Sequence, residues 1–306
     1  MPPTAPRCRD WIWRGWQIRY AYAHPGPAAS HQTPLLLIHG FGSSWQQWHR
    51  NLSIIGEHYP VYALDLLGFG RSQKAATAYR VPLWADLVFD FWQTFIGRPM
   101  VLVGHSLGAL VAATAAVDHP QAVSTVVLLT LPETRQEVVG NPQARRAIQA
   151  VEGLVASPAL IRLIFQVVRR PRFIRAGLKL AYANPESVTD ELVAQVIAPT
   201  ADRGAAQTLC RLTQAATSTT YSASRTLLLS QLSQPTLLIW GTGDRIIPFK
   251  QVDELCQLNP QVTLLAVPGA GHCLYDEAAE MLNRAILDWV SEGRHRLRGG
   301  DPAGRG

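Results

Sequence analysis

The sequence predicts an α/β fold: a mostly parallel central sheet flanked by helices, with an all-helical segment inserted into it. Three observations carry this expectation. Short runs rich in Val, Leu and Ile alternate with helical stretches along most of the chain, and such continuous apolar runs suit parallel strands covered on both faces. The alternation stops after Leu129 and resumes near Thr236, with only helical patterns between. Finally, Gly104-His105-Ser106-Leu107-Gly108 lies between an apolar run and an Ala- and Leu-rich stretch, the setting of a sharp strand-to-helix turn that holds a serine hydroxyl exposed above a sheet.

In chain order, Trp11-Ile12-Trp13 and Gln17 to Ala23 flank Arg14-Gly15 and predict an opening hairpin. Strands follow at Leu35 to Ile38, Val61 to Leu64, Met100 to Val103, Val126 to Leu129, Thr236 to Trp240 and Val262 to Ala266. Helices fall between them, at about Trp45 to Leu52, Leu83 to Phe95, Leu107 to Val117 and Lys250 to Gln257. A last helix runs from about Asp276 to Val290, with Asp276 expected as its N-cap, while Asp276-Glu277, so near His272, could also tune the orientation of that ring. Within the insert, apolar stripes at Leu160 to Val168 and Ile174 to Tyr182 precede helical patterns at Val188 to Ile197 and Gln207 to Ala216. This divides the chain into a core in two parts, 1–131 and 235–291, a helical cap at 132–234, and a disordered basic tail at 292–306.

Composition bounds what the chain can be. With 306 residues, 47% hydrophobic and 16% charged, it can bury one large core or two modest ones. Cys8, Cys210, Cys256 and Cys273 stand far apart with no C-x-x-C pair, which argues against a zinc site or a disulfide framework and for a reducing, cytoplasmic setting. No secretory leader is legible, and the longest apolar stretch, Met100 to Val117, contains His105, Ser106 and two glycines, so a membrane span is not expected. Neither a phosphate-cradling loop nor a cluster of metal ligands is present in the pattern, and no cofactor or metal is expected.

The net charge of +6 is unevenly placed. Half of it lies past Gly293, in Arg294, Arg296, Arg298 and Arg305 against Asp301. A second concentration, Arg162, Arg169, Arg170, Arg172, Arg175 and Lys179, has no acidic residue among it. No nucleic-acid-binding module accompanies these charges, so nucleic acid is not an expected partner. A solvated helix face and peripheral adhesion of the cap to an anionic membrane both stay open.

A serine hydroxyl is a weak nucleophile at neutral pH and needs a base to take its proton. His272, in Gly269-Ala270-Gly271-His272 after the last strand, offers an imidazole on a short loop. Asp244, in Gly241-Thr242-Gly243-Asp244 after the preceding strand, can orient that ring and stabilise it when charged. Each of the three follows a predicted strand, where open α/β sheets place their sites. The oxyanion of acyl transfer needs two amide donors; Leu107 and Phe41, the latter in His39-Gly40-Phe41-Gly42, are the candidates. Gly40, Gly42, His105 and Trp45 are expected to line the pocket, although Trp45 and Trp48, three apart beside that loop, suit core packing as well. The loop Asp65 to Ser72 reads as structural ahead of pocket-lining, and Cys273, with no companion to activate it, as buried packing.

The order Ser106…Asp244…His272, with G-x-S-x-G at the turn, is identified with the α/β-hydrolase superfamily from about Trp11 to Val290. Three stretches, Asp65-Leu66-Leu67-Gly68-Phe69-Gly70, Tyr182 to Val193 and Gly271-His272-Cys273-Leu274-Tyr275-Asp276-Glu277, resemble the plant and cyanobacterial branch containing pheophytinase and chlorophyll dephytylase. That resemblance implies an α/β-hydrolase fold with a cap, and hydrolysis of a phytyl ester at a thylakoid membrane. The sequence departs from the branch at His105, where pheophytinase typically has Asn, and at Leu274-Tyr275, where Pro-His is common. The expected activity is therefore ester hydrolysis of a small hydrophobic substrate through an acyl-enzyme. Cofactor-free haloperoxidase-like, C–C bond hydrolase or hydroxynitrile lyase chemistry on the same three residues is the alternative, and a non-catalytic ligand-binding hydrolase fold a further one. Epoxide hydrolase and haloalkane dehalogenase chemistry needs a carboxylate nucleophile, which position 106 does not supply.

Overall fold

The computed structural model of the chain describes residues 6–26, 31–138 and 158–298. Eight strands form one sheet in the order β1-β2-β4-β3-β5-β6-β7-β8. They are β1 (Arg7–Trp13), β2 (Trp16–Ala23), β3 (Leu35–Ile38), β4 (Val61–Leu64), β5 (Met100–His105), β6 (Val123–Leu129), β7 (Thr236–Gly241) and β8 (Val262–Val267). β2 runs antiparallel to both of its neighbours, β1 and β4, and every other pairing is parallel.

Why the central strand sequences are almost wholly apolar follows from the layers. Side chains alternate across a strand. Leu36, Ile38, Leu102, Val126 and Leu128 pack into one core, while Leu35, Leu37, Val101, Val103, Val127 and Leu129 pack into the other. On the central strands both faces are covered, so residues of either parity are mostly apolar. Helices Val81–Phe91 and Leu107–Asp118 cover the first face; His49–Gly56 and the last helix cover the second.

The chain builds outward from β3 in both directions, so β3 lies between β4 and β5, with Ile38 beside Gly104. The loops leaving the ends of β3 and β5 are therefore neighbours at a switch point of the sheet, the position where such sheets open a crevice. The loops after β7 and β8 leave the same edge.

Between β6 and β7 every described element is helical: Arg135–Val138, Pro158–Val168, Pro171–Ala181, Asp190–Ile197, Ala205–Ala216 and Arg225–Gln231, with short 3₁₀ turns. A charged knot joins the two strands of chain where this segment leaves and rejoins the sheet. Arg225, almost fully buried, pairs with Glu133 at 2.8 Å and faces Glu137. Glu137 also accepts the amides of Thr134, Arg225 and Thr226.

Three expectations need correction. The last helix runs from Ala279 to Arg298, through Arg and Leu residues that favour helix, so the segment expected to be irregular from 292 is helical as far as it is described; 299–306 lie outside the described residues. Asp276 does not cap that helix. A separate turn, Leu274–Glu277, precedes it, and Asp276 sits inside that turn with its amide on the Cys273 carbonyl. Finally, β1 begins at Arg7 rather than Trp11, because its exposed polar half is held by the ladder to β2, which hydropathy does not register.

Candidate active site

Ser106 sits at the turn between β5 and helix Leu107–Asp118 with φ +52° and ψ −117°. The flanking glycines are required by contact rather than by dihedral. A Cβ on Gly104 would lie 2.1 Å from the Gly108 carbonyl, and one on Gly108 would lie 2.3 Å from the Ile38 carbonyl. The helix therefore starts directly against the end of β3. Next to it, Gly40 passes so close to the serine that its Cβ would meet the Ser106 Cβ at 3.4 Å.

His272 and Asp244 come together. Nδ1–H of His272 donates to Asp244 Oδ2 at 2.9 Å, and the other carboxylate oxygen accepts the amides of Ile246 and Ile247 at 2.8 and 2.9 Å. Both side chains are buried. The carboxylate is thus held on both oxygens, and the ring is held in the tautomer that leaves Nε2 with its lone pair. Ser106 and His272 line one cavity of about 500 Å³. The serine hydroxyl makes no hydrogen bond among the described residues, a contact that in substrate-free sites is commonly long and tightens on binding. The amides of Phe41 and Leu107 likewise have no protein acceptor among the described residues.

Gly40, Gly42 and His105 line the same cavity, whereas Trp45 does not. Trp45 faces an adjoining groove of about 950 Å³, because its amide is drawn to the Asp65 carboxylate at 2.6 Å. Trp48 goes into the core against Tyr275. The remaining wall comes from the cap: Val168, Phe173, Ile174, Leu178, Tyr182 and Val196. The apolar stripes read from the sequence contain Val168, Ile174, Leu178 and Tyr182, and Val196 falls in the helical pattern Val188 to Ile197, whereas Phe173 lies between the two stripes.

The cap is fastened to the histidine loop itself. The His272 amide donates to the Ala181 carbonyl at 2.8 Å. Glu277 accepts the amides of Gly271 and Asn184, and the Tyr182 hydroxyl donates to Asp276. Apart from the bond within the loop between Gly271 and Glu277, these contacts join residues some ninety positions apart, which no local pattern reveals. Burial pushes the Cys273 thiol up to about 12, so it stays protonated and unreactive at neutral pH.

Three more buried groups surround the site. His105 lies against His272, ring centroids 4.7 Å apart, and its Nε2–H donates to the His272 carbonyl at 3.0 Å. Burial holds it well below the ordinary histidine range, as does the neighbouring His272. Burial also takes His39 down to about 4; its Nδ1–H donates to the Gly40 carbonyl while Nε2 accepts the Leu66 amide. Burial pushes Asp65 up to about 6, against the amides of Trp45 and Arg71 and the charge of Lys74.

These groups give the fold a pH dependence whose sign is set by proton counting. Unfolded histidines bind a proton below about pH 6.5; folded His39 and His105 refuse it, so stability falls as pH drops from 6.5 toward 4. Asp65 opposes this: between about pH 4 and 6 the folded state keeps a proton that an unfolded aspartate has lost, so its contribution declines as pH rises. Two histidines against one carboxyl predict net acid destabilisation. Denaturant midpoints measured across that window should fall toward pH 4 in the native protein, and the slope should steepen in Asp65→Asn. A native profile flat or rising toward acid would contradict the assignment.

The chain belongs to the α/β-hydrolase fold family, whose model matches it from residue 33 to residue 279. That range runs from just before β3 to the start of the last helix. Among curated relatives, it is 28% identical over 259 residues to the dihydrolipoyllysine-residue acetyltransferase component of an acetoin cleaving system from Pseudomonas putida, covering 84% of this chain and 63% of that protein, so it spans less than two thirds of that relative. It is 23% identical over 279 residues to the 2-hydroxy-6-oxononadienedioate/2-hydroxy-6-oxononatrienedioate hydrolase of a Pseudomonas species, covering 88% and 91%. Among solved structures, an epoxide hydrolase superposes with a TM-score of 0.79 at 19% identity, covering 94% and 99% of the two chains. At that identity the likeness concerns the fold alone. Among the described residues no helix is long and apolar enough to cross a membrane, and no group of three His, Cys, Asp or Glu side chains gathers as a metal site would need.

Proposed function

We propose that the chain is a serine hydrolase that cleaves a carboxylic ester of a hydrophobic substrate through an acyl-enzyme. The observation that carries this reading is the meeting, on one cavity wall, of a serine on a strained turn, an imidazole oriented by a buried carboxylate, and two unclaimed amides. Ser106 Oγ adds to the ester carbonyl carbon as His272 Nε2 takes its proton, and Asp244 steadies the resulting imidazolium. The oxyanion sits between the amides of Phe41 and Leu107, each donor worth about 2.7–4 kcal/mol to the transition state. Collapse breaks the bond to the alcohol, which leaves with the proton from His272. Water, deprotonated by the same imidazole, then releases the acid and restores Ser106.

The apolar cap residues around the serine support a hydrophobic substrate arm. Ser106 in place of a carboxylate disfavours the alkyl-enzyme chemistry of epoxide hydrolysis. The relative acting on a nonadienedioate suggests C–C bond hydrolysis as a second reading. That class of dianionic substrate calls for cations, yet no Arg or Lys among the described residues lines the cavity. The phytyl ester of chlorophyll or pheophytin is one candidate within the ester class, supported by the fact that two of the stretches resembling that branch, Tyr182 to Val193 and Gly271 to Glu277, clasp each other beside the site.

A substrate panel tests the proposal: p-nitrophenyl esters from acetyl to palmitoyl, pheophytin and chlorophyll, and a meta-cleavage dienoate. We expect kcat/KM to climb with acyl length by up to about fourfold per methylene, the equivalent of about 0.8 kcal/mol each, until the cavity is full. Turnover of the dienoate with every ester left untouched would overturn it.

A further inference from the structure

The cap turns an apolar stripe toward solvent. On helix Pro171–Ala181, Ile174 and Leu178 face the cavity, yet Phe173, Ala176, Gly177 and Leu180 are exposed. Their spacing places those four on a single helix face. Phe173 is 39% exposed and Leu180 52%, and on the preceding helix Leu163 is 64% and Val168 44% exposed. A soluble surface helix normally turns such a stripe inward.

Cations border the stripe. Arg162, Arg170, Arg172 and Lys179 are exposed and Arg169 is half-buried, and none of the five is in an ion pair among the described residues. Only Arg175 is tied down, to Asp190 and the Val188 carbonyl. The Arg172 guanidinium lies 4.6 Å from the centre of the Phe173 ring, so charge and apolar surface are presented side by side. From Pro158 to Ala181 the chain has no acidic residue. Val168, Phe173 and Gly177 also line the cavity that holds Ser106, which puts the stripe at its rim.

We infer that this face docks on the surface of a bilayer containing anionic lipid, with the stripe at the headgroup boundary, the cations on the phosphates and the cavity mouth against the membrane. The occupant follows from complementarity. A second copy would bring like charges together, and a nucleic acid would satisfy the cations while leaving Leu163 and Leu180 in water. A lipid surface satisfies both. The inference concerns binding and holds or fails independently of the reaction catalysed.

Flotation of the full chain with vesicles tests it. We expect binding to phosphatidylglycerol–phosphatidylcholine vesicles, little binding to phosphatidylcholine alone, and weakening as salt rises. Arg162→Glu, Arg170→Glu and Lys179→Glu should each lower the partition by about fivefold or more, the ratio expected for losing one cation at an anionic surface. Leu163→Ser and Leu180→Ser should weaken it severalfold at unchanged charge. Circular dichroism melts establish that each variant is folded, and all these positions are exposed. Absence of binding to anionic vesicles would overturn the inference. So would binding unaffected by Leu163→Ser and Leu180→Ser together, since that marks a purely electrostatic surface. A concentration-dependent dimer abolished by Leu180→Ser, without vesicle binding, would do the same by assigning the face to a second copy.

Discussion

Ser106→Ala is expected to lower kcat for any ester the protein turns over by on the order of 10⁴-fold or more, as loss of the nucleophile does in other serine hydrolases. KM should change little, because the hydroxyl is a small part of a cavity of about 500 Å³. The substitution removes one oxygen and leaves the backbone with the same demand: alanine at φ +52° is as strained as serine, so the denaturation midpoint should stay near that of the native protein. Ser106→Gly separates chemistry from strain. It should be equally inactive yet more stable by about 1 kcal/mol, since glycine meets no steric penalty at positive φ. Full retention of activity in Ser106→Ala would dispose of the serine mechanism, and loss of folding in it would contradict the view that strain resides in the backbone. Asp244→Asn should be intermediate in kind: His272 remains, but the tautomer held by the 2.9 Å bond is no longer enforced, with a loss on the order of 10⁴-fold.

How much of this was legible in the sequence depends on the range of the interactions involved. The strands from β3 to β8 coincide with apolar runs, because a sheet covered on both faces makes nearly the same demand on every residue of a strand, and composition records it; β1, with its exposed polar half, does not. The serine turn is legible because both glycines stand within two residues of the serine, although only Gly104 answers a local contact, with the Gly108 carbonyl, and Gly108 answers the end of β3. The pairing of Asp244 with His272 could be anticipated only from chain order, since their loops leave adjacent strands β7 and β8. What was not legible is set by long-range contact. Trp45 was expected in the pocket, but a carboxylate twenty residues away turns it to the neighbouring groove. Asp276 has the composition of a helix cap and serves instead as acceptor for Tyr182 from the cap. The Arg225 knot joins segments some ninety residues apart, and neither side carries a local signature of it.

Gly108→Ala is expected to damage folding and catalysis together. Its Cβ would sit 2.3 Å from the Ile38 carbonyl oxygen and 2.6 Å from that of His39. Both are backbone atoms at the end of a central strand, bonded on either side to β4 and β5, so neither can swing away as a side-chain end would. Relief requires helix Leu107–Asp118 to lift from β3 by about an ångström or the strand end to move. A well-packed core resists such a shift at a cost of about 3 kcal/mol or more, read as a lowered denaturation midpoint. The same shift separates the two oxyanion donors, because the Leu107 amide moves with the helix and the Phe41 amide with the loop after β3. Misplacement by an ångström at a preorganised site costs on the order of 10²-fold in rate. The surviving folded fraction should therefore be slow as well as scarce. Gly42→Ala is the matched comparison: it also adds a methyl beside the site, at φ +70° but with nothing within 4 Å, so it should cost only the strain of a left-handed alanine, about 1–2 kcal/mol. Equal stability losses in the two variants would mean that the helix does not bear on β3 as described.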